Sequence, residues 1–132
     1  MMCVFCNIAN GIWNSKKVYE DEDVLAILDL SQATLGHTLV IPKKHFKNIL
    51  EIDMETYMKV MEKVKIVCEK LNLKLHASGF NILNNCGTVA GQTVDHFHVH
   101  IIPRYDEKDI KIEFTDHSKD VNLDTVLEKI NK

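Results

Sequence analysis

The chain has few of the residues that interrupt regular structure. Its 132 residues contain only two prolines and five glycines, and no low-complexity tract or internal repeat divides them. We therefore expect a single domain over residues 1–132. Lys and Arg number 16 against 19 Asp and Glu, a net charge of −3, which excludes a strongly basic coat for nucleic acid. No apolar run approaches the roughly 20 residues of a membrane span, so we expect no membrane contact.

A secretory signal is also absent from the N-terminal sequence, so we expect a cytoplasmic, reducing setting. Four cysteines are present, of which Cys3 and Cys6 form a CxxC pair. No predicted strand precedes this pair, which makes a redox role less favoured than two ligands of a tetrahedral zinc site. Two half-buried thiols on a short helix are the alternative. Cys68 is expected on an amphipathic helix, facing the protein core, and Cys86, in a loop, receives no role.

Hydrophobic periodicity predicts short strands around one long helix. Apolar residues recur at spacings of three and four within residues 53–71, which predicts an amphipathic helix capped by Asp53. A short helix is predicted over residues 3–10 and ends at Gly11. The remaining predicted elements are strands at Val18–Glu20, Val24–Asp29, Thr38–Ile41, Phe80–Leu83 and Val94–Pro103, and a C-terminal helix carrying Leu123, Val126, Leu127 and Ile130, capped by Asp120 or Asn122. Because no βαβ rhythm repeats, we predict an α+β fold with an antiparallel sheet of about five strands.

Histidines and apolar residues alternate strictly over residues 96–102. In a strand this pattern places His96, His98 and His100 on one face and the apolar residues on the other. Three imidazoles on one face are hard to explain as packing, because each brings polar nitrogens that need partners. Either two of them chelate one metal ion, or one is a nucleophile whose neighbours act on phosphate oxygens or on the leaving group.

Three segments together resemble a known family. They are Cys3–Gly11, the run Tyr19–His45 that ends in LGHTLVIPKKH, and Asn85–Arg104, in which AGQTV leads into the three histidines. Over roughly residues 3–105 the chain resembles the histidine triad family of nucleotide hydrolases and transferases. It is most similar to the phosphoramidase-like branch and to its CxxC-bearing microbial members. The histidine triad fold is therefore expected, with residues 106–132 as a tail that the resemblance does not cover.

The resemblance implies covalent catalysis by the middle histidine, with no cofactor needed for the chemistry. An unprotonated nitrogen of His98 would attack the α-phosphorus of a nucleotide, and water would hydrolyse the nucleotidyl-histidine. His100 would stabilise charge on the α-phosphate. Thr93 would reach the leaving group, and Gln92 and Asn85 would bind the phosphate region.

The nucleoside end of the site is also implied by the resemblance. Asp29 aligns with the acidic residue that takes the ribose hydroxyls, and a carboxylate suits a vicinal diol because it accepts from two donors. Phe5, Ile8, Ile27 and Leu30 align with the apolar walls of the base pocket. Purine nucleotides, especially adenosine nucleotides, are the expected substrates, with modest selectivity for the base.

Family members with the CxxC pair imply a zinc site formed by Cys3, Cys6, His45 and His96. This Cys2His2 set has no open position, which is typical of structural zinc. His37 aligns with a recurrent family position and is expected to be structural. The family also implies a homodimer in which the sheets of two chains become continuous.

We therefore expect a hydrolase that cleaves the α-phosphate bond of purine nucleoside phosphoramidates or related conjugates. A dinucleoside polyphosphate hydrolase is the nearest alternative, since that branch shares the ending at residues 102–104. A non-catalytic nucleotide-binding or scaffold protein and a metal-dependent hydrolase with the triad as ligands are the others. A nucleotidyl transferase is less favoured, because related transferases have glutamine in place of His100.

Overall fold

An antiparallel sheet with helices on both faces forms the body of the chain. The structure is a computed structural model that describes residues 3–132. Its helices are α1 (Val4–Ala9), α2 (Met54–Leu75) and α3 (Leu123–Asn131), and its strands are β1 (Lys17–Glu20), β2 (Val24–Leu28), β3 (Thr38–Pro42), β4 (Gly79–Leu83) and β5 (Val99–Arg104). The strand order is β1-β2-β3-β5-β4, and every neighbouring pair is antiparallel. The predicted α+β class and five-stranded sheet are confirmed.

The two faces of the sheet have different partners. Strand register places Ala26 opposite Val40 and Val40 opposite Val99, and this face packs against the buried side of α2, formed by Val60, Val64, Val67 and Leu71. Side chains alternate along a strand, so Ile27, Leu39 and His100, which are also in register across β2, β3 and β5, share the opposite face. That face packs against α1 through Phe5.

The long helix continues beyond the predicted end at residue 71. It reaches Leu75 and ends where His76 adopts a left-handed backbone with φ of 59°. The extra turn is held by the packing of Leu75 against the core and by a local hydrogen bond from Asn72 Nδ2 to the carbonyl of Ala77 at 2.9 Å. Asp53 is the N-cap residue as predicted, but its side chain makes no capping hydrogen bond.

The predicted strand Val94–Pro103 is wrong in its first half. β5 begins only at Val99, because the backbone bends at residues 94–96. The amide of Phe97 donates to the carbonyl of Phe46 at 2.6 Å instead of to a strand of the sheet. The alternation still holds in space, since Phe97, Val99 and Ile101 all lie in the core beneath α2.

The C-terminal segment lies on the surface. Every residue from 111 to 132 is exposed. The predicted terminal helix is confirmed as α3, and Asn122 caps it by accepting a hydrogen bond from the amide of Thr125 at 3.0 Å. No helix among residues 3–132 is both long enough and apolar enough to cross a membrane.

Candidate active site and metal centre

A pocket of about 250 Å³ opens on the sheet face opposite α2. Side chains of α1 form one wall, β2 and β3 supply an apolar floor, and the polar end lies beside β5. Eight of the residues singled out from the sequence line it: Phe5, Ile8, Ile27, Asp29, Leu30, Thr93, His98 and His100. Leu30 is at the mouth, since its side chain is almost wholly exposed. Val4, Leu28, Leu39 and Val94, which we did not assign to the site, complete the lining.

His98 is held in one tautomer. Its Nδ1 lies 2.7 Å from the carbonyl oxygen of His96, and because a carbonyl can only accept, Nδ1 must carry the proton. The other nitrogen, Nε2, then has a free lone pair. Burial lowers the pKa of His98 below its ordinary value, so the ring is neutral at pH 7. A neutral imidazole with one fixed nitrogen is a competent nucleophile.

His100 lies beside His98 and contacts two further polar residues. The two rings are 5.1 Å apart, and Nδ1 of His100 lies 2.9 Å from Nε2 of His37 and 4.0 Å from the carboxylate of Asp29. Burial, together with the neighbouring imidazoles of His98 and His37, lowers the pKa of His100 to about 4. His100 is therefore uncharged at neutral pH. The contact with His37 was missed from the sequence, because nothing in the alternating pattern of β5 reveals that the residue directly before β3 lies beside His100.

Gly36 places His37 at this contact. Its backbone has φ of +91°, and a Cβ at this position would lie 2.7 Å from Cδ1 of Leu75. Only glycine accepts both constraints without strain. The turn is further closed by Gln32, whose amide oxygen accepts from the amide of Gly36 and whose amide nitrogen donates to the carbonyl of His37.

Gln92 and Asn85 do not line the pocket. The side chain of Gln92 is buried and already used: Nε2 donates to the carbonyls of Lys47 and Val94, and Oε1 accepts from the amide of Gly87. Asn85 Nδ2 contacts the carbonyl of Gly91 at 3.4 Å. In this arrangement both side chains hold the loop before the histidines, and their contact with phosphate stays a prediction of the resemblance.

Asn84 is a supporting residue that the sequence reading left without a role. Its Nδ2 donates to the carbonyl of His98 at 2.8 Å. His98 precedes the first residue of β5, so the Asn84 side chain supplies the hydrogen bond that the backbone of a paired strand would otherwise give. A polar residue at the end of β4, directly before the loop, was the available signal.

The four proposed zinc ligands converge at the other side of α1. One ligand atom from each of Cys3, Cys6, His45 and His96 lies within 4.8 Å of the others, close enough to hold one metal ion. Nδ1 of His96 is 3.4 Å from Sγ of Cys3 and 3.1 Å from Nδ1 of His45. A tetrahedral zinc ion with ordinary bond lengths separates such ligand atoms by about 3.3–3.8 Å.

The chemistry of this donor set fits a metal ion. Nε2 of His96 lies 2.8 Å from the carbonyl of Pro42, so it carries the proton and leaves the lone pair of Nδ1 facing the thiols. Metal-bound histidines are usually oriented by such an outer hydrogen bond. Two imidazole nitrogens at 3.1 Å need a proton or a cation between them. Without a cation, burial raises the pKa of the Cys6 thiol to about 11.

Phe5 joins the metal centre to the pocket. It lies between the two cysteines in sequence, and its ring packs edge-on against both His96, at 5.8 Å, and His98, at 5.0 Å. Its side chain is buried in the smaller core cluster beneath α1. The position of the pocket wall therefore depends on how α1 is held.

A larger cleft of about 500 Å³ lies elsewhere, at the start of β4 and the end of β5. Arg104 is the cation in it, but its guanidinium is already bound by Asn81, by Asp109 and by two backbone carbonyls. This arginine closes the turn after β5. We place the chemistry in the smaller pocket, where titratable groups with perturbed pKa values meet an apolar cavity.

Comparison with known proteins gives a consistent family. The HIT domain family matches residues 11–107. An uncharacterized HIT-like protein of Methanocaldococcus jannaschii is 47% identical over 129 residues, which cover 98% of both chains. The adenosine 5'-monophosphoramidase of Schizosaccharomyces pombe is 37% identical over 82% of this chain and 78% of its own.

Solved structures agree with the fold. A HIT family protein from Bacillus anthracis superimposes with a TM-score of 0.90 at 42% identity, covering 98% of this chain and 92% of the other. A zinc-bound histidine triad family protein from Mycobacterium smegmatis superimposes with a TM-score of 0.80 at 38% identity, covering 90% and 87%.

Proposed function

The chain belongs to the HIT domain, or histidine triad, family, and we propose that it hydrolyses purine nucleoside 5′-phosphoramidates and related nucleotide conjugates. The observation that carries the proposal is the fixed tautomer of His98. Its Nδ1–H donates a hydrogen bond to the carbonyl of His96 at 2.7 Å. Nε2 is therefore unprotonated, and His98 lines the pocket.

The reaction proceeds in two displacements at phosphorus. The lone pair of His98 Nε2 forms a bond to the α-phosphorus, and the bond from phosphorus to the leaving nitrogen breaks. The departing amine takes its proton from a water molecule beside the Thr93 hydroxyl. The hydroxide left behind attacks the phosphorus of the nucleotidyl-histidine, breaks the bond to Nε2, releases the nucleoside monophosphate and regenerates the neutral imidazole. Dividing one difficult step into two is the advantage of covalent catalysis.

His100, Asp29 and the apolar walls bind the substrate. A neutral His100 donates a hydrogen bond to a phosphate oxygen, where negative charge develops. Asp29 accepts from the ribose hydroxyls, and the base lies between Phe5, Ile8 and Ile27. The pocket of about 250 Å³ is slightly smaller than the roughly 300–1,000 Å³ of sites that enclose a whole drug-sized ligand. We therefore place the leaving group outside it.

The charges of the pocket favour phosphoramidates over dinucleoside polyphosphates. Its lining contains a carboxylate but no lysine or arginine, and burial keeps His100 uncharged. One charge on an α-phosphate can be met by neutral donors, whereas a polyphosphate chain brings several charges that need cations. The similarity to a monophosphoramidase from fission yeast points the same way.

Metal-dependent hydrolysis through the triad fits the geometry less well. The lone pair of His96 faces the cysteines, and among residues 3–132 no converging group of ligands includes His98. We assign the cluster of Cys3, Cys6, His45 and His96 to structural zinc, which would fix α1 against the segment that precedes β5. Four protein ligands leave no position for substrate.

We also propose a homodimer. β4 is at the edge of the sheet, and Ile82 and Leu83 on it are 45% exposed. An apolar edge strand is a natural site for pairing with a second chain. Light scattering during size-exclusion chromatography should give twice the mass of one chain, and a monomer at micromolar concentration would contradict the dimer.

The enzymatic proposal is tested by trapping the intermediate. Wild-type protein, His98→Ala and the control His117→Ala, which changes an exposed residue of the tail, are mixed with an adenosine 5′-phosphoramidate and quenched within one turnover. We expect mass spectrometry to find an adenylyl group on His98 in the wild type and control only. Release of adenosine monophosphate should fall by more than about 10³-fold in His98→Ala. Equal rates for His98→Ala and wild type would overturn the proposal.

A parallel assay separates the alternatives. Faster turnover of a dinucleoside polyphosphate than of the phosphoramidate would favour the polyphosphate hydrolase. Tight binding of adenosine monophosphate without any turnover or adduct would favour a nucleotide-binding or scaffold protein.

A further inference from the structure

Asp29, His37 and His100 form a second group of possible metal ligands, separate from the cysteine cluster. Oδ2 of Asp29, Nε2 of His37 and Nδ1 of His100 lie within 4.8 Å of one another. Two imidazoles and one carboxylate form a ligand set that proteins use for zinc with an open fourth position. We propose that these three residues bind a second zinc ion, more weakly than the cysteine cluster does, and that this ion inhibits nucleotide binding.

The distances between the ligand atoms are close to those of a tetrahedral site. His37 and His100 are separated by 2.9 Å, Asp29 and His37 by 3.5 Å, and Asp29 and His100 by 4.0 Å. Zinc bonds of about 2.0–2.2 Å to nitrogen and oxygen require roughly 3.3–3.5 Å between ligand atoms. Shifts of about half an ångström therefore complete the site, and the Asp29 side chain, which is 19% exposed, has room to make them.

Outer hydrogen bonds already orient two of the three ligands through Ser31. Oδ1 of Asp29 accepts from the amide of Ser31 at 2.8 Å, which leaves Oδ2 available. Nδ1 of His37 lies 3.1 Å from the carbonyl of Ser31 and 3.2 Å from the amide of Ala33, so either tautomer has a partner. Zinc at Nε2 selects the tautomer in which Nδ1 donates to Ser31. Such second-shell contacts typify built metal sites.

The second zinc ion can reach its ligands from solvent, and its ligand set predicts weak binding. Asp29 and His100 line the pocket, so an ion reaches them from solvent. Only three protein ligands are present, and none is a thiolate, whereas the cysteine cluster offers four ligands with two sulfurs. The cysteine site is therefore filled first.

Inhibition follows from the shared carboxylate, and this part rests on the proposed function. The ribose diol and the zinc ion would compete for the same available oxygen of Asp29, Oδ2, because Oδ1 already accepts from the amide of Ser31. Binding of the ion itself does not depend on that function, so the two parts of the proposal can fail separately.

The test begins with protein that holds one equivalent of zinc. Isothermal titration with further zinc is performed on wild type, His37→Gln, and the control His117→Gln, which changes an exposed histidine of the tail. We expect a second equivalent in wild type and control, and an affinity for it more than about 100-fold weaker in His37→Gln, because loss of a ligand exceeds the loss of an outer contact. Circular dichroism shows whether the variant is folded.

Nucleotide competition gives the second measurement and uses only wild-type protein. Saturating adenosine monophosphate should lower the affinity for the second zinc ion at least tenfold. The second zinc ion should lower the affinity for the nucleotide by the same factor, since such coupling is reciprocal. The metal site is overturned if wild type binds no second equivalent of zinc. It is also overturned if folded His37→Gln binds the second equivalent with unchanged affinity. A second ion that leaves nucleotide affinity unchanged overturns the inhibition. If adenosine monophosphate does not bind to protein that holds one equivalent of zinc, the proposed function is overturned instead.

Discussion

Nε2 of His37 lies 2.9 Å from Nδ1 of His100, although 63 positions separate them in the chain. The contact exists because β3 and β5 are paired antiparallel, with Thr38 opposite Ile101 and Leu39 opposite His100. One of the two nitrogens donates and the other accepts, so the tautomer of one ring fixes that of the other. The ring of His100 is thus hydrogen-bonded to a residue that directly precedes a neighbouring strand.

The free energy of unfolding should decrease as the pH is lowered, because His100 is buried in its neutral form. Its folded pKa of about 4 lies below the ordinary value near 6.5, so as the pH falls the unfolded chain takes up the proton first. Stability is then fully present above pH 6.5 and decreases between pH 6.5 and 4, by up to about 3 kcal/mol. Urea unfolding of wild type, His100→Gln and His117→Gln, each holding one equivalent of zinc, should show a shallower decrease in His100→Gln alone. Parallel curves for wild type and His100→Gln would contradict the effect.

Asp29→Asn should weaken ribose recognition while the fold is kept. An amide offers one acceptor oxygen and no charge, so a charge-assisted pair of hydrogen bonds worth about 1.5–3 kcal/mol is lost, or roughly 10- to 100-fold in affinity. We expect wild type to bind adenosine monophosphate better than its 2′-deoxy form and the variant to lose this preference. Calorimetry on both nucleotides measures it. A preference for the ribonucleotide that persists in Asp29→Asn would place the diol elsewhere.

Much of this site could be predicted from the sequence, and the limits have physical causes. Alternation over residues 96–102 identified which side chains share a face, since the period of two survives even where β5 has not begun. The resemblance supplied Asp29 and the cysteine ligands, which lie far from the histidines in sequence. The start of β5 was not predictable, because the amide of Phe97, directly after the bend at residues 94–96, donates to the carbonyl of Phe46, a residue some fifty positions earlier. The same holds for the partners of Gln92.

Gln92→Ala should act through the loop and not through the phosphate. Three backbone groups, the carbonyls of Lys47 and Val94 and the amide of Gly87, lose their partner, and unsatisfied groups of this kind cost about 1–3 kcal/mol. Thermal unfolding should therefore show a lower Tm, with kcat reduced by displacement of Thr93. Asn85→Ala is the matched control, since it removes one long hydrogen bond. A higher KM with unchanged Tm in Gln92→Ala would instead support direct contact with phosphate.

Removal of zinc should loosen α1 and withdraw Phe5 from His98. Trp13 is the only tryptophan of the chain, and its amide donates to the carbonyl of Asn7 in α1, so its fluorescence reports the state of this helix. Chelation should shift the Trp13 emission, lower the Tm and weaken adenosine monophosphate binding. A ligand present at about 1,000 times its Kd stabilises the folded state by about 4 kcal/mol, which sets the scale of the loss. Phe5→Leu with zinc bound should bind adenosine monophosphate more weakly and keep its zinc content. The control Cys86→Ser should change neither the nucleotide affinity nor the zinc content. If metal-free protein keeps its emission, Tm and nucleotide affinity, then the cysteine cluster does not hold the wall of the pocket.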